Sequence, residues 1–174
     1  PEEMHSLMDD VKNHEPKRAL EAEDNGLKCY KDIMPIIAKY LKKDDLMYPC
    51  NAVAAVYKEQ CYLMQTSYAL TENGYNFKET FDLCANVEPE FRDTCAQSIG
   101  RDASGSTVSN VQRTVTNCSF AQDDNQYTNC ITGAVKDFIS YFHGDSEAKL
   151  LCAALPTRFR VHCDDTRTSY LKTL

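Results

Sequence analysis

Four cysteines of this chain, Cys50, Cys84, Cys118 and Cys152, each stand 34 residues from the next. A second set, Cys61, Cys95, Cys130 and Cys163, follows them by 11, 11, 12 and 11 positions. A single globular core imposes no such spacing. A fixed period of roughly 20 to 50 residues is the mark of stacked supersecondary units, each too small to bury its own apolar face. Cys29 fits as the second cysteine of a degenerate leading unit, since it precedes Cys50 by 21 positions where the later gaps are 23, 23 and 22.

Other residues keep time with the cysteines. Tyr57, Phe91 and Phe159 stand four positions before the second cysteine, with Tyr127 displaced by one where the spacing lengthens. Arg92 and Arg160 follow two of these aromatics, and Pro89 and Pro156 occupy the same part of the segment between the cysteines. Phe77 and Phe81 in one unit match Val111 and Val115 in the next.

Between cysteine pairs the apolar residues recur at three and four positions, as in Ile131, Val135, Phe138, Ile139 and Phe142. That period predicts amphipathic helices over 91–99, 127–142 and 159–171. Gly74, Gly105 and Gly144, set among polar neighbours, suit the turn that ends each such helix. The expected fold is all-α: stacked helical pairs, as an α-solenoid or a compact array, each reading helix, glycine turn, helix and a short proline-bearing loop clipped by a disulfide.

Regular cysteine pairs in so short a chain point to an oxidising compartment, because reducing cytosol keeps thiols free. Structural zinc uses ligands two to four residues apart, and the chain has no Cys-x-x-Cys and no His-x-x-x-His. The expected bridges are Cys50–Cys61, Cys84–Cys95, Cys118–Cys130 and Cys152–Cys163. Each would close a loop of about a dozen residues, worth ~3 kcal/mol on the chain-entropy model. A second pairing stays open at this point. Positions 11 apart on one continuous helix lie within about 20° of the same face, so two helices of a hairpin can exchange two bridges. Pro89 and Pro156 interrupt two of the four segments and Ser119 to Asn125 is too polar for a helix, which leaves only Cys50 to Cys61 reading as continuously helical and favours local clips.

At 174 residues the chain suffices for one folding unit or for four to five small ones. Its 43% apolar and 26% charged residues are globular proportions. A net charge of -7 repels a phosphate backbone, so nucleic acid is excluded as an expected partner. The longest apolar stretch, near Ile33 to Leu41, is broken by Pro35 and Lys39, short of the roughly 20 residues that a membrane span needs. The opening Pro1-Glu2-Glu3 reads as a processed or cut end. Residues 1–28, holding His5, His14 and Pro16, fall outside the cysteine pattern. The spacing of Met4, Leu7, Met8 and Val11 favours a capping helix over a linker there, ahead of a helical array over 29–174.

The 34-residue helix pair is similar in length to a tetratricopeptide repeat, and the regular disulfides resemble the cysteine-rich secreted arrays of that superfamily. The resemblance covers 29–174 and rests on period and cysteines; the tetratricopeptide tryptophan is absent, as the chain has no Trp. A competing likeness is to the twin-cysteine helical hairpins of the mitochondrial intermembrane space, from which this chain departs by one residue in spacing and by its prolines. Either likeness implies a scaffold, and neither carries ligand residues over.

Chemical motifs are sparse. His162-Cys163-Asp164-Asp165 and His143-Gly144-Asp145 set imidazoles beside carboxylates, the combination of a metal or acid–base site; yet neighbours in sequence point to different helix faces, and Cys163 is assigned to a bridge. Ser104-Gly105-Ser106 is no nucleophile elbow, and Asp123, Asp124 and Asn125 lack the glycine and terminal glutamate of a calcium loop. No haem-attachment or phosphate-loop motif occurs. Asn117-Cys118-Ser119 fits a glycosylation acceptor, though its middle residue is an expected half-cystine. Cys29, left over after four pairs, is a candidate for an intermolecular disulfide. Tyr40, Tyr48, Tyr57, Tyr62, Tyr68 and Tyr75 crowd the first half, as rings that rim the core or a half-wet interface do.

The expected function is a non-enzymatic structural or protein-binding module, an accessory subunit of a larger extracytoplasmic assembly, with a protein partner and no cofactor or metal. The expected location is secreted, periplasmic or otherwise extracytoplasmic, with the intermembrane space as alternative. Two alternative functions stand beside it: an enzyme or metal carrier with a site near His162, Asp164 and Asp165, and a catalytic thiol at Cys29.

Overall fold

Seven α-helices and no strand occur among the described residues, 41–173, of a computed structural model. They are α1 (Ala55–Glu72), α2 (Phe77–Ala85), α3 (Arg92–Gly105), α4 (Val111–Cys118), α5 (Asp124–Phe142), α6 (Ser146–Ala154) and α7 (Thr157–Leu171), with a 3-10 turn at Pro89–Phe91 before α3. The unit they build begins at Lys43. The segment 1–28 and Cys29 lie outside the described residues.

Long helices alternate with short ones, and the two kinds form two layers. α3 packs between α1 and α5, and α5 between α3 and α7; α2 lies against α1 and α3, α4 against α3, α5 and α6, and α6 against α5 and α7. Each helix turns a stripe inward at the expected spacing. Ile131, Val135, Phe138 and Ile139 of α5 are fully buried, while Phe142, expected in the same series, is 41% exposed because it ends the helix.

Positions 34 apart make the same local contacts. Asn76 and Asn110 cap α2 and α4, accepting from the amides of Glu79 at 3.2 Å and Arg113 at 3.0 Å. Each such cap satisfies a helix N–H that would otherwise lack a partner and contributes about 1 kcal/mol. Four residues on, the buried Thr80 and Thr114 hydroxyls donate to the cap carbonyls at 3.0 and 2.8 Å. The Phe-Arg pairs also act alike: Arg92 Nε donates to Val87 O at 3.1 Å and Arg160 Nε to Leu155 O at 2.8 Å, closing the proline loop in both places. Both phenylalanines meet a tyrosine of the preceding long helix, though not at equivalent positions: Phe91 packs on Tyr62 with ring centroids 5.6 Å apart, and Phe159 on Tyr127 at 4.4 Å.

All four expected bridges are present, with Cα–Cα separations of 5.4 Å in Cys50–Cys61, 5.5 Å in Cys84–Cys95, 5.8 Å in Cys118–Cys130 and 5.5 Å in Cys152–Cys163. Three of them join a short helix to the long helix that follows. The first does not, and it corrects one expectation: Cys50 to Cys61 is not a continuous helix. Eleven helical residues would span about 16 Å, so a local bridge requires the chain to reverse. It does so at Ala54, which is extended at φ -60° and ψ 145°, and α1 starts at Ala55.

The glycine turns also differ in detail. Gly74 takes a left-handed φ of +69°, but after α5 that conformation falls on His143 (φ 53°), and after α3 on Val108 and Ser109, both at φ 52°. Gly105 is simply the last residue of α3. The two glycines that matter most for packing lie inside helices. A Cβ on Gly100 would stand 1.8 Å from the carbonyl oxygen of Cys130, and one on Gly133 1.8 Å from that of Gln97. α3 and α5 therefore cross backbone to backbone, at an approach only glycine permits.

Candidate functional site

Where the Pro89 loop folds back on α1, a small ionic cluster borders an open cleft. Tyr62, one residue past Cys61, is buried and donates its hydroxyl to Glu88 Oε2 at 2.8 Å. Lys58, one helical turn earlier, pairs through Nζ with Glu88 Oε1 and reaches Asn51 O at 3.3 Å. The Lys58 ammonium, a backbone hydrogen bond and the Tyr62 hydroxyl hold the Glu88 carboxyl down at about 2. Burial, then the bond to Glu88 and its charge, push the Tyr62 phenol well above its ordinary range.

The cleft has a volume of about 530 Å³ and its lining includes Tyr62, Val87, Glu88, Arg92, Asp45, Met47 and Asn51. The last three belong to a strap of irregular chain tied to α1 by the Cys50–Cys61 bridge, by Lys58 and by Gln65. Gln65 of α1 donates through Nε2 to Leu46 O at 2.7 Å and Tyr48 O at 2.8 Å. Within the strap the Asp45 carboxylate accepts from Asn51 Nδ2 at 2.9 Å. A second cleft of about 320 Å³ includes Val115, Asp123, Tyr127 and Phe159. Arg158 closes one edge of it, bonded to Asp124 at 2.8 Å with its guanidinium 4.6 Å from the Phe159 ring.

A polar seam joins α1, α3 and α5. Asp102 accepts from Thr66 at 2.6 Å and Ser67 at 2.8 Å, and Arg101, its ion-pair partner, donates to Leu63 O at 2.7 Å. Burial raises the Asp137 carboxyl, against the opposing effect of the Ser104 hydroxyl and Arg101. No buried side-chain nitrogen or oxygen among the described residues is left without a partner. The seam is thus fully satisfied internally, as stable buried polar networks are.

The residues singled out for chemistry do not converge. His162 is exposed on α7, with Nε2 2.8 Å from Thr132 Oγ1 and 3.4 Å from Thr166 Oγ1. Asp164 accepts from Arg167 Nε at 3.2 Å, and Asp165 is exposed. Asp145 pairs with Lys149 and with Arg167, which hold its carboxyl below the usual range, while His143 ends α5. Among the described residues no three His, Cys, Asp or Glu side chains group to hold a metal ion. Ser104 Oγ is buried against Ser109 Oγ at 3.1 Å. Asn117 sits in the last turn of α4 beside the bridged Cys118. The tyrosine crowd divides: Tyr62 is core, whereas Tyr57 and Tyr75 are exposed.

Sequence reasoning missed Glu88, Lys58 and Gln65, since partners 30 and about 17 positions apart carry no motif; the one usable signal was that Glu88 precedes an inter-cysteine proline. No helix among the described residues is long and apolar enough to cross a membrane. No protein-family model, curated protein or solved structure matches the chain.

Proposed function

We propose that this chain is a non-enzymatic protein-binding module, an accessory subunit of a larger extracytoplasmic assembly, and that it receives its partner on the outer face of α1. The observation that carries this reading is an asymmetry between the first and the last of the long helices among the described residues. α3 docks on α1 through Phe91, which meets Tyr62, and through Ser98, whose hydroxyl donates to Leu63 O at 2.7 Å. The equivalent positions of α1, four before and three after its cysteine, are Tyr57, exposed by 66% beside Val56 at 77%, and Met64, 62% exposed with its Sδ 2.7 Å from Arg101 Nη1 of α3. In α7, the positions that match Tyr62 and Leu63 are Asp164 and Asp165, both exposed carboxylates. One helix offers apolar surface and the other charge, and apolar side chains rimmed by polar ones favour protein contact.

Two further points support the reading. The ionisable groups with shifted affinities for protons are tied to neighbours in structural roles, and the period resembles that of tetratricopeptide-like arrays, which work as scaffolds. Four bridges suit an oxidising compartment.

A photo-reactive residue placed at Tyr57 or Met64 in the full chain, with a control at Asp165, tests the proposal in extract from the native source. Protein adducts are expected at the two α1 positions and not at the control. Equal labelling at all three, or none at α1, refutes it.

A further inference from the structure

We propose that a cleft between the C-terminal ends of α1 and α3 is a binding site for a single neutral sugar ring. The cleft has a volume of about 300 Å³ and is lined by Ser67, Leu70 and Thr71 of α1, by Tyr75 just beyond it, and by Asp102, Gly105 and Ser106 at the end of α3. That volume stands at the low end of the ~300–1,000 Å³ of small-molecule sites, which suits one ring rather than a chain. Leu70 is the only aliphatic side chain in the lining besides the threonine methyl, so an apolar ligand would find little to cover it. An anion would meet the Asp102 carboxylate, the one charged group of the lining, and a cation would have to compete with Arg101, whose Nη2 already pairs with Asp102 at 2.7 Å. A neutral, polar molecule fits.

The hydrogen-bond inventory narrows that class to a polyol. Thr71 donates its O–H to Ser67 O at 2.8 Å, and Ser67 donates its own to Asp102 Oδ1 at 2.8 Å. Both donors are thus used inside the protein, while Thr71 Oγ1 and Asp102 Oδ2, which accepts from Thr66 at 2.6 Å, keep lone pairs. Acceptors left over in this way are answered by a ligand rich in O–H groups, and the Ser106 and Tyr75 hydroxyls can donate or accept in return. Tyr75 adds the apolar platform. Its side chain is 56% exposed on a backbone of φ 63°, and an aromatic face beside polar groups receives the C–H face of a sugar ring while the sugar hydroxyls reach those groups. The exposed ring is not imposed by the repeat. Ser109, 34 residues on and at a similar φ of 52°, is buried and bonded to Ser104 Oγ at 3.1 Å. The site does not depend on the partner-binding reading.

The test is an NMR titration of the full, oxidised, isotope-labelled chain with the methyl glycosides of glucose, galactose, mannose and N-acetylglucosamine. At least one is expected to shift the amides of Ser67, Tyr75, Asp102 and Ser106 saturably, with a Kd of about 1 mM, weak because one ring brings few atoms. Gly105→Leu should weaken that binding ~10-fold or more. A Cβ at Gly105 meets nothing within 4 Å, so the new side chain takes up cleft space without displacing the helix. Tyr75→Gly, which removes the ring and accepts the left-handed backbone, should weaken it as much. In both variants the rest of the amide spectrum should match wild type. A trisaccharide ending in the bound sugar separates the two sources of such a ring: retained affinity identifies the end of a glycan chain, and lost affinity identifies the free monosaccharide. No saturable shift at these amides with any of the glycosides, or one that survives both substitutions, overturns the proposal.

Discussion

Replacing Gly100 by alanine adds a single methyl group where α3 meets α5. Its Cβ would stand 1.8 Å from the Cys130 carbonyl oxygen, 2.7 Å from that carbonyl carbon and 2.9 Å from Ala134 N, all backbone atoms that no rotamer change can move aside. Ordinary contact begins near 3.4 Å, so the helices must part by about 1.6 Å, and a gap of even 0.5–1 Å forfeits roughly a quarter to a half of the dispersion energy across it. That loss falls on Ala96, Ile99 and Ala103 of α3 and on Ile131, Ala134 and Val135 of α5, all buried. Overpacking typically costs about 1–3 kcal/mol, and a clash with backbone belongs at the top of that range. Alanine's better helix propensity returns about 1 kcal/mol. The net expectation is a loss of ~2 kcal/mol or more, a drop of ~1 M in urea midpoint at a slope of ~2 kcal/mol/M. Gly105→Ala in the same helix is the control, since its Cβ meets nothing within 4 Å, and it should be neutral or slightly stabilising. Midpoints for the two variants within ~0.2 M of each other would refute the close crossing of α3 and α5.

Three further outcomes are expected. Cys118→Ser with Cys130→Ser, which opens a 12-residue loop between α4 and α5, should lower stability by ~3 kcal/mol in chemical denaturation. Asn110→Ala should cost about 1 kcal/mol by the same measurement, because the Arg113 amide loses its cap. The Glu88 carboxyl, held at about 2 against an ordinary 4.5, contributes stability that is present above the ordinary value and is lost as pH falls toward 2; the urea midpoint of Glu88→Gln should therefore lie below wild type at neutral pH and converge with it in strong acid, and a gap that persists at pH ~2 would contradict the Lys58–Glu88–Tyr62 cluster.

The sequence-level signals that survive folding are those repeated in step. Pro89 and Pro156 in two of the segments between cysteines 11 apart, and the polar run 119–125 in a third, favoured local clips over exchanged bridges, and the four local bridges are present. Helical spacing in 127–142 placed α5 because its inward stripe is long and uninterrupted. Where no proline marked the reversal, as before α1, the apolar run over 52–57 read as helix, and the break at Ala54 was illegible. The left-handed residue after α5 is His143 although Gly144 is its neighbour, because helix geometry fixes which position takes that conformation and a glycine nearby does not move it. Gly100 and Gly133 carried no signal in the sequence, since close approach is a property of two helices and not of one. The Lys58–Glu88 pair and the Gln65 clamp are likewise tertiary facts. For the candidate site, sequence named His162, Asp164 and Asp165, which folding leaves on exposed α7 without convergence; the asymmetry of α1 and α7 needed the register between units to be seen in three dimensions.

The central claim is that local sulfur bridges, one between each long helix and the segment that leads into it, hold these helices in their order, and mass-spectrometric peptide mapping of the native protein under non-reducing conditions tests it most directly. Four cross-linked peptide pairs are predicted, Cys50 with Cys61, Cys84 with Cys95, Cys118 with Cys130 and Cys152 with Cys163. Free thiols at these positions, or a bridge between different pairs such as Cys50 with Cys95, would contradict it.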